Sequence, residues 1–495
     1  MKMISSRSNS MSSGIRWSAL GEYSTEGVIF VVYVILARLL APRDFGLLAM
    51  AMVFVGMTDM FSRLGTNTIV IQQKRLTQGL LSSLFFLNLV AGIIVGGVFF
   101  LLSPLFGLLI DNPHVTPILR VLSITFVTSS IGSVHNGLLR RKLLFNRLAV
   151  IQLSAALSKG AVAIYLALAG YAVWALVIAI LISDLLRTAL LFFATAWLPR
   201  LHMDWREIKR VKSFMFNITG FGLFNSLSTR AGNFIIGRFL GATLLGYYSL
   251  AYRLQTLPNQ YVSHVVGRVL LPSLSAAQDD DALFRRRYLR ACAGVALITL
   301  PISVGLALVA EAFVLTVYGE KWRAAIPVIA ILSLVGAIHS IAVLSGNIFI
   351  AKGQTGLWLK WGIFSGIISA LSLLAGLPWG LVGVTCGCAV STVALACLSF
   401  IISFRLFGLR LSGLFAVLRP YLLATAIMGL TVICLRGALD KLALPPAGIL
   451  VCCACAGFLI YSICMFKIRP PAFKDFIDML PGTAFSRLRV KLTSR

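Results

Sequence analysis

The chain is 495 residues long, 59% hydrophobic and only 12% charged, with a mean hydropathy of +0.93. Soluble domains carry roughly 25% charged residues, so this composition excludes an ordinary globular chain and points to an integral membrane protein. The 44 Lys and Arg against 16 Asp and Glu leave a formal charge of +28, which implies either nucleic acid or anionic lipid head groups and membrane orientation.

A spanning helix needs about 20 mostly apolar residues, since the hydrocarbon core is roughly 30 Å thick and a helix rises about 1.5 Å per residue. In chain order, the first two spans are expected over residues 15–39 and 44–65, each with one or two ionisable side chains within it. The third runs Gly79–Ile110 and the fourth Val121–Leu139, both free of Asp, Glu, Lys and Arg. Arg147–Trp197 divides at Gly170-Tyr171 into the fifth and sixth, the latter two holding Lys159, Asp184 and Arg187. Residues 212–237 and 244–272 supply the seventh and eighth, Ala291–Ala310 and Ala324–Ala351 the ninth and tenth. Trp361–Phe404 must contain two helices, broken at Leu377-Pro378-Trp379-Gly380, and 417–436 and Leu442–Phe466 complete the set. Glu22 and Glu26 deny the first segment the clean apolar stretch of a cleavable signal, so it is expected to be retained as a span.

With the N-terminus inside, about 30 of the 44 basic residues fall on the cytoplasmic side, about 8 outside and about 6 within spans. The alternation places both termini of a multi-pass membrane protein in the cytoplasm. Basic residues spread over the loops of one face, without aromatic stacking platforms among them, argue against nucleic acid. The nine cysteines all follow residue 290 and sit in apolar spans, where Cys acts as a small hydrophobe. Neither a metal set nor a cofactor motif is expected: the sequence has no phosphate-cradling Gly-Lys-Ser/Thr loop, zinc His-Glu-x-x-His or nucleophile elbow. Asn217-Ile218-Thr219 matches a glycosylation pattern at the cytoplasmic end of a span and is read as accidental.

An internal repeat emerges at an offset of about 200 residues. Leu36–Met50 aligns with Ile236–Leu250, matching Arg38 with Arg238, Leu40 with Leu240 and Gly46 with Gly246. Pro117–Ser123 resembles Pro327–Ser333 at a slightly larger offset. An offset of six spans keeps the orientation of both halves, as in transporters whose repeats are related by an axis along the membrane normal. The expected fold is therefore an all-α integral membrane protein with about fourteen transmembrane helices, arranged as two six-helix lobes around a central cavity plus two C-terminal helices. Its parts are a cytoplasmic N-terminal segment (1–13), an N-lobe (14–200, spans one to six), a C-lobe (211–405, spans seven to twelve), spans thirteen and fourteen (412–466), and a basic cytoplasmic tail (467–495).

Ionisable residues within spans cost a few kcal/mol and usually face a bundle interior or a wet cavity. Thr219, Ser226, Arg230 and Asn233 share one helical face in the seventh span, and Arg253, Gln260, His264 and Arg268 do so in the eighth. Ser18, Glu22 and Thr25 line one face of the first span, with Glu26 one turn beyond Glu22; Asp59 and Arg63 lie in the second. Asp59 with Arg63, and Asp184 with Arg187, are spaced to neutralise one another on a single helix, and Arg63 and Arg268 can snorkel to the cytoplasmic interface. Arg230, Arg253 and Lys159 have no acid nearby in sequence. The candidate cationic cavity is therefore Arg230, Arg253, Lys159, Arg63 and Arg268 with Asn233 and Gln260. Glu22, Glu26, Asp59, Asp184 and His264 are candidates for coupling or counter-charge, although a lone His such as His264 more often holds a structural hydrogen bond. Such a cavity suits an anion, and Arg offers bidentate recognition of phosphate. A lipid-linked diphosphate presents that anion, with a tail for the lipid and a sugar chain for the wet interior.

Several stretches carry a family likeness: Leu36-Ala37-Arg38 with Phe45-Gly46-Leu47-Leu48, Ile71-Gln72-Gln73-Lys74, Leu143-Leu144-Phe145-Asn146 and Gly170-Tyr171-Ala172-Val173-Trp174. In the second half, Leu240-Gly241-Ala242 followed by Gly246-Tyr247-Tyr248-Ser249-Leu250-Ala251-Tyr252, then Arg268-Val269-Leu270-Leu271-Pro272 and Gly319-Glu320-Lys321-Trp322, are the most characteristic. Over roughly residues 14–410 the chain resembles the multidrug/oligosaccharidyl-lipid/polysaccharide exporter superfamily, in its polysaccharide transport branch, close to colanic acid and succinoglycan exporters. The resemblance implies a flippase, not an enzyme, carrying undecaprenyl-diphosphate-linked oligosaccharide repeat units across the inner membrane for exopolysaccharide assembly by alternating access. Its implied partners are the lipid-linked oligosaccharide, membrane lipids, and polysaccharide polymerase and export machinery. A drug or cation antiporter of the same superfamily would favour acidic cavity residues. A membrane polymerase or glycosyltransferase would need carboxylates on a large external loop, whereas the outside loops of this chain are short and hold few acids, mainly Asp44, Asp111, Glu320 and Asp440.

Overall fold

The computed structural model describes residues 21–479 except 22, 74, 202 and 443; side chains are described there except at 57–63, 210–214, 216–218, 220–225, 227–229, 476 and 479. Ser18, the N-terminal segment, Glu22 and most of the basic tail thus lie outside the described residues, as do the side chains of Asp59 and Arg63. Regular structure among the described residues is entirely helical. Ten helices or helix pairs there are long and apolar enough to cross a membrane. Two of the ten, Arg230–Ser275 with 46 residues and Thr355–Arg405 with 51, are about twice as long as one crossing requires. The second is broken by a 3₁₀ turn at Leu377–Trp379 and by Gly380 at φ 65°, the place where the sequence anticipates a break. Contacts divide the chain into Met1–Gly246 and Tyr247–Arg495.

The first unit begins with α1 (23–39) and α2 (Pro42–Arg63), followed by the short α3 (Thr66–Gln72) after Gly65 at φ 66°. Then come α4 (Gln78–Leu109), α5 (Val115–Leu122), α6 (Ile124–Arg141), α7 (Phe145–Leu168), α8 (Val173–Thr195) and the first part of α9 (Trp205–Pro258). The Thr77 hydroxyl caps α4 by accepting from Leu80 N at 3.0 Å. This helix has two distinct faces. Val90, Ile94, Val98, Leu101, Leu105 and Leu108 are exposed at helical spacing, the stripe that hydrocarbon would cover. On the opposite side are Gly92, Gly96 and Gly107; a Cβ at Gly92 would lie 2.2 Å from Ser130 Oγ of α6, and one at Gly107 2.3 Å from Thr116 Oγ1 of α5. Small residues at this spacing bring helix backbones together where no hydrophobic effect does so in lipid.

Polar ties close the unit at one end. Arg141 Nη1 donates to the carbonyls of Val70 (2.9 Å) and Gln73 (2.5 Å), satisfying the C-terminal end of α3. Between α8 and α9 the chain is strapped to the start of α4: Trp197 Nε1 donates to Gln78 Oε1 (2.7 Å), Arg200 N to Ser82 Oγ (3.0 Å) and Asp204 N to Ser83 Oγ (2.7 Å).

In α9 the helix is interrupted at Gly241, with φ 84° and ψ 175°. The break meets the α1–α2 corner backbone to backbone. A Cβ on Gly46 would lie 1.7 Å from the Ala242 carbonyl oxygen, and one on Gly246 2.0 Å from that of Pro42. In the sequence repeat, Pro42 corresponds to Ala242 and Gly46 to Gly246. The repeat thus exchanges the two contacts: Gly46 against Ala242 becomes Gly246 against Pro42.

The second unit continues from the end of α9 through a π turn (Asn259–Ser263) into α10 (His264–Ser275), α11 (Asp281–Leu308), α12 (Ala310–Val317), α13 (Ile326–Ala342), α14 (Ser345–Ala351), α15 (Thr355–Gly376), α16 (Gly380–Arg405), α17 (Leu411–Lys441), α18 (Pro446–Ile468) and α19 (Pro471–Met479). Its core gathers Phe284 and Tyr288 of α11 with Phe404 and, just beyond α16, Phe407, with the Phe284 and Phe407 rings 4.9 Å apart. Buried hydroxyls pair across helices: Ser340 Oγ donates to Thr299 Oγ1 at 2.8 Å, and Ser345 and Ser399 share a hydrogen bond of 2.7 Å.

Candidate functional site, a charged cavity in the first unit

A cavity of about 280 Å³ opens among α2, α5–α8 and α9, and four ionisable side chains line it: Lys159, Asp184, Arg187 and Arg230. Three cations against one carboxylate give the lining a positive balance, which the surrounding helices make costly unless it serves a ligand.

Arg230 reaches the cavity from α9 by lying across α2. Its Nη1 donates to the Met52 carbonyl at 2.7 Å, one of the five donors of the guanidinium. The crossing depends on Gly56, where a Cβ would stand 2.0 Å from Arg230 Cζ. One turn earlier Ser226 Oγ donates to the Gly56 carbonyl at 2.7 Å, so α9 is tied to α2 at the charge and one turn before it. Asp184 accepts from Thr128 Oγ1 of α6, and Arg187 Nη1 lies 3.9 Å from Asp184 Oδ1, with the side chains 30% and 16% exposed. These exposures let the cavity reach both charges while the helices limit their hydration. Ser183 Oγ donates to the Ala155 carbonyl of α7 (2.9 Å) and Thr188 Oγ1 to that of Thr128 (3.1 Å), which fixes the helix carrying Asp184 and Arg187. Past this pair a recess of about 10 Å³ continues between Asn67, Ser133 and Asn136, roughly the space of one water.

The structure therefore brings Lys159, Asp184, Arg187 and Arg230 together in one lining, although the first and last are 71 positions apart in sequence. Asn233 is half-buried on α9, outside the lining of this cavity, and Thr219 is buried lower on the same helix. Glu26 and Thr25 are half-buried on α1. In the second unit, Gln260, His264 and Arg268 are exposed and Arg253 is half-buried. Sequence reasoning missed the fourth span's contribution. Thr125 and Ser129 of α6 line the cavity and Ser133 its recess, and the signal was present as hydroxyl residues four apart in an otherwise apolar segment. It also missed His135, buried with Nδ1 2.6 Å from Thr195 Oγ1 and ringed by Phe85, Phe192 and Trp197.

The second unit holds a groove of a different kind. About 660 Å³ in volume, it runs between α11, α17, α18 and α19 and is lined by Leu297, Ile302, Met428, Phe458, Met465 and Phe473 among others.

Helices of membrane-spanning length around an ion-lined cavity define a multi-pass membrane transporter. The chain belongs to the polysaccharide biosynthesis protein family, which it matches over residues 35–327. It is similar to the lipopolysaccharide biosynthesis protein WzxC of Escherichia coli (strain K12), with 29% identity over 79% of this chain and 80% of that one. It is also similar to the succinoglycan biosynthesis transport protein ExoT of Rhizobium meliloti (strain 1021), with 26% identity over 94% of each. In fold it resembles the lipid II flippase MurJ in an inward closed conformation, with a TM-score of 0.73 and 14% identity over 92% of this chain and 99% of that one. An inward-facing multidrug resistance transporter of the MATE family follows, with a TM-score of 0.64 and 16% identity over 77% of this chain and 94% of that one. The all-helical exporter fold and the family likeness expected from the sequence are both borne out.

Proposed function

We propose that the chain is a flippase that carries undecaprenyl-diphosphate-linked oligosaccharide repeat units from the cytoplasmic to the periplasmic leaflet of the bacterial inner membrane, for exopolysaccharide assembly. It is a transporter, not an enzyme, as the likeness to a succinoglycan biosynthesis transport protein supports. The single observation that carries the substrate class is the cavity whose lining includes Lys159, Arg187 and Arg230 with one carboxylate, Asp184. A diphosphate is the compact anion such a lining fits, and Arg supplies planar two-point contact to its oxygens. The apolar groove on α11, α17 and α18 matches the chemistry of a polyprenyl chain.

The reading extends to residues proposed from the sequence: Arg253, Arg63, Arg268, Asn233 and Gln260 as further substrate contacts, and Glu22, Glu26, Asp59, Asp184 and His264 as coupling or counter-charge groups. Fourteen spans, two lobes that rock about the cavity, cytoplasmic termini and hand-over to a polymerase and export machinery complete the proposal. Deletion followed by analysis of lipid-linked sugars tests it. A flippase mutant accumulates undecaprenyl-linked repeat units facing the cytoplasm; single repeats exposed at the periplasmic face instead would identify a polymerase. Arg230→Ala should reduce polymer export at an unchanged protein level, and normal export would remove the cationic cavity from the mechanism.

A further inference from the structure

We propose that α19 is a latched lid on the apolar groove of the second unit, and that Arg290 is a head-group contact for a polyprenyl phosphate. As the lid lifts, Arg290 exchanges the carboxylate of Asp475 for the lipid phosphate. The inference rests on the reading of the groove as a polyprenyl site and names the residues that admit the chain to it.

α11 presents a stripe that matches such an amphiphile. Arg286, Arg290, Leu297, Pro301 and Gly305 follow one another at spacings of four and seven, so they share one helical face. The last three line the groove, whereas Arg286 and Arg290 are exposed at the end where α11 begins. Between the charges and Leu297, Gly294 lies on the same face, and a Cβ there would meet nothing within 4 Å. A phosphate at the arginines and a prenyl chain running on from Leu297 therefore fit one continuous surface.

α19 stands at the junction of the two parts. It packs on α11, and Phe473 and Ile477, four residues apart, form one end of the groove lining. Both are buried in the same cluster as Leu297 and Met465, and the Phe473 ring meets that of Phe466 edge-on at 5.1 Å. From another flank, Asp475 accepts from Nε and Nη2 of Arg290, one bond to each carboxylate oxygen. This two-point geometry is the one in which a guanidinium also holds phosphate. With the Arg290 side chain 55% and that of Asp475 28% exposed, water screens the pair and its net worth is small. A second anion can thus take the guanidinium at little cost. The lid hangs from α18 by a sharp corner, where Arg469 has a φ of 52° and Pro470 and Pro471 follow. A surface helix of nine residues opens locally more readily than the bundle beneath it.

The test titrates the purified full-length protein in detergent with undecaprenyl phosphate and reads bound lipid by native mass spectrometry. Undecaprenol supplies the tail without the charge, and phosphatidylglycerol the phosphate without the prenyl chain. Undecaprenyl phosphate should half-saturate the protein at about a tenfold lower concentration than either. Asp475→Asn, which frees Arg290 and the lid together, should tighten its binding several-fold. Arg290→Gln releases the lid equally but removes the phosphate contact, and should weaken binding about tenfold. Arg290→Lys keeps the charge without the fork, so it should weaken binding by less, and it serves where Arg290→Gln fails to fold. A merely structural tie would move the Asp475 and Arg290 variants in the same direction, and that result overturns the proposal. Undecaprenol or phosphatidylglycerol binding as tightly as undecaprenyl phosphate overturns it equally. None of these measurements reads transport, so the flippase reading, decided by the lipid-linked sugars of the deletion strain, can stand or fall separately.

Discussion

Replacing Gly46 by Ala tests the crossing between the α1–α2 corner and the break in α9. The added methyl would be placed 1.7 Å from the Ala242 carbonyl oxygen, 2.5 Å from its carbon and 3.0 Å from Cα. All three atoms are backbone, so no side chain can rotate away, and the helix break must retreat by more than about 1 Å to reach ordinary contact. Overpacking of this kind typically costs about 1–3 kcal/mol, against a gain of at most about 1 kcal/mol from the higher helix propensity of Ala. The net expectation is a loss of roughly 1–2 kcal/mol, read as a lowered thermal midpoint of the purified protein. Gly97→Ala is the control, because nothing lies within 4 Å of a Cβ there and only the propensity gain remains. Gly246→Ala should behave like Gly46→Ala. The double variant should cost less than the two single ones together, since a Cβ at Gly246 also lies 3.4 Å from Gly46 N and one retreat relieves both clashes. A Gly46→Ala midpoint at or above that of Gly97→Ala would refute the reasoning.

Gly56→Ala is expected to act differently, because the atoms it meets belong to the guanidinium of Arg230 and can swing aside. Protein should accumulate normally while export falls, as the bond to Met52 O breaks at a cost of about 1.5–3 kcal/mol; undiminished export would separate Arg230's position from transport. Asp184→Asn keeps the shape of the acceptor for Thr128 but removes the carboxylate beside Arg187, so export should change its dependence on salt; an unaltered salt profile would make Asp184 a packing residue. Asp111→Asn breaks the 2.9 Å pair with Arg238, where both side chains are well exposed, and should change the thermal midpoint little, in keeping with surface pairs worth about 0–1 kcal/mol. A large drop would mean that this pair is shielded from water in the membrane.

How much could be read in advance depended on the range of the signal. Spanning helices are long apolar runs, and the break at Leu377–Gly380 is announced by Pro378 and Gly380 within the run, so both are local and legible. The α9 break at Gly241 is also marked by glycine, and the repeat that pairs Gly46 with Gly246 was visible as sequence. That Gly46 packs on the Ala242 carbonyl and Gly246 on that of Pro42 was not, because a backbone crossing leaves no trace beyond small residues. The charged cavity was half legible. Lys159 and Arg230 stand out as cations in apolar spans, whereas their meeting with the Asp184–Arg187 pair depends on how α7, α8 and α9 pack. The hydroxyls of α6 were overlooked because Ser and Thr are common in helices and only their shared face makes them a wall. The π turn was illegible: one proline at 258 predicts an irregularity, not its kind.

The strap between α8 and α9 bears on how the molecule can be handled. Residues between Trp197 and Asp204 read as a polar connection, the sort of place where a reporter or epitope is usually spliced in. Yet Trp197, Arg200 and Asp204 are each bonded to the start of α4, so an insertion there would lift a row of hydrogen bonds off the bundle. The turn at Gly170-Tyr171, where Tyr171 is exposed and a Cβ on Gly170 would meet nothing within 4 Å, is the better host, and fusions placed in the two would differ in yield before they differ in activity.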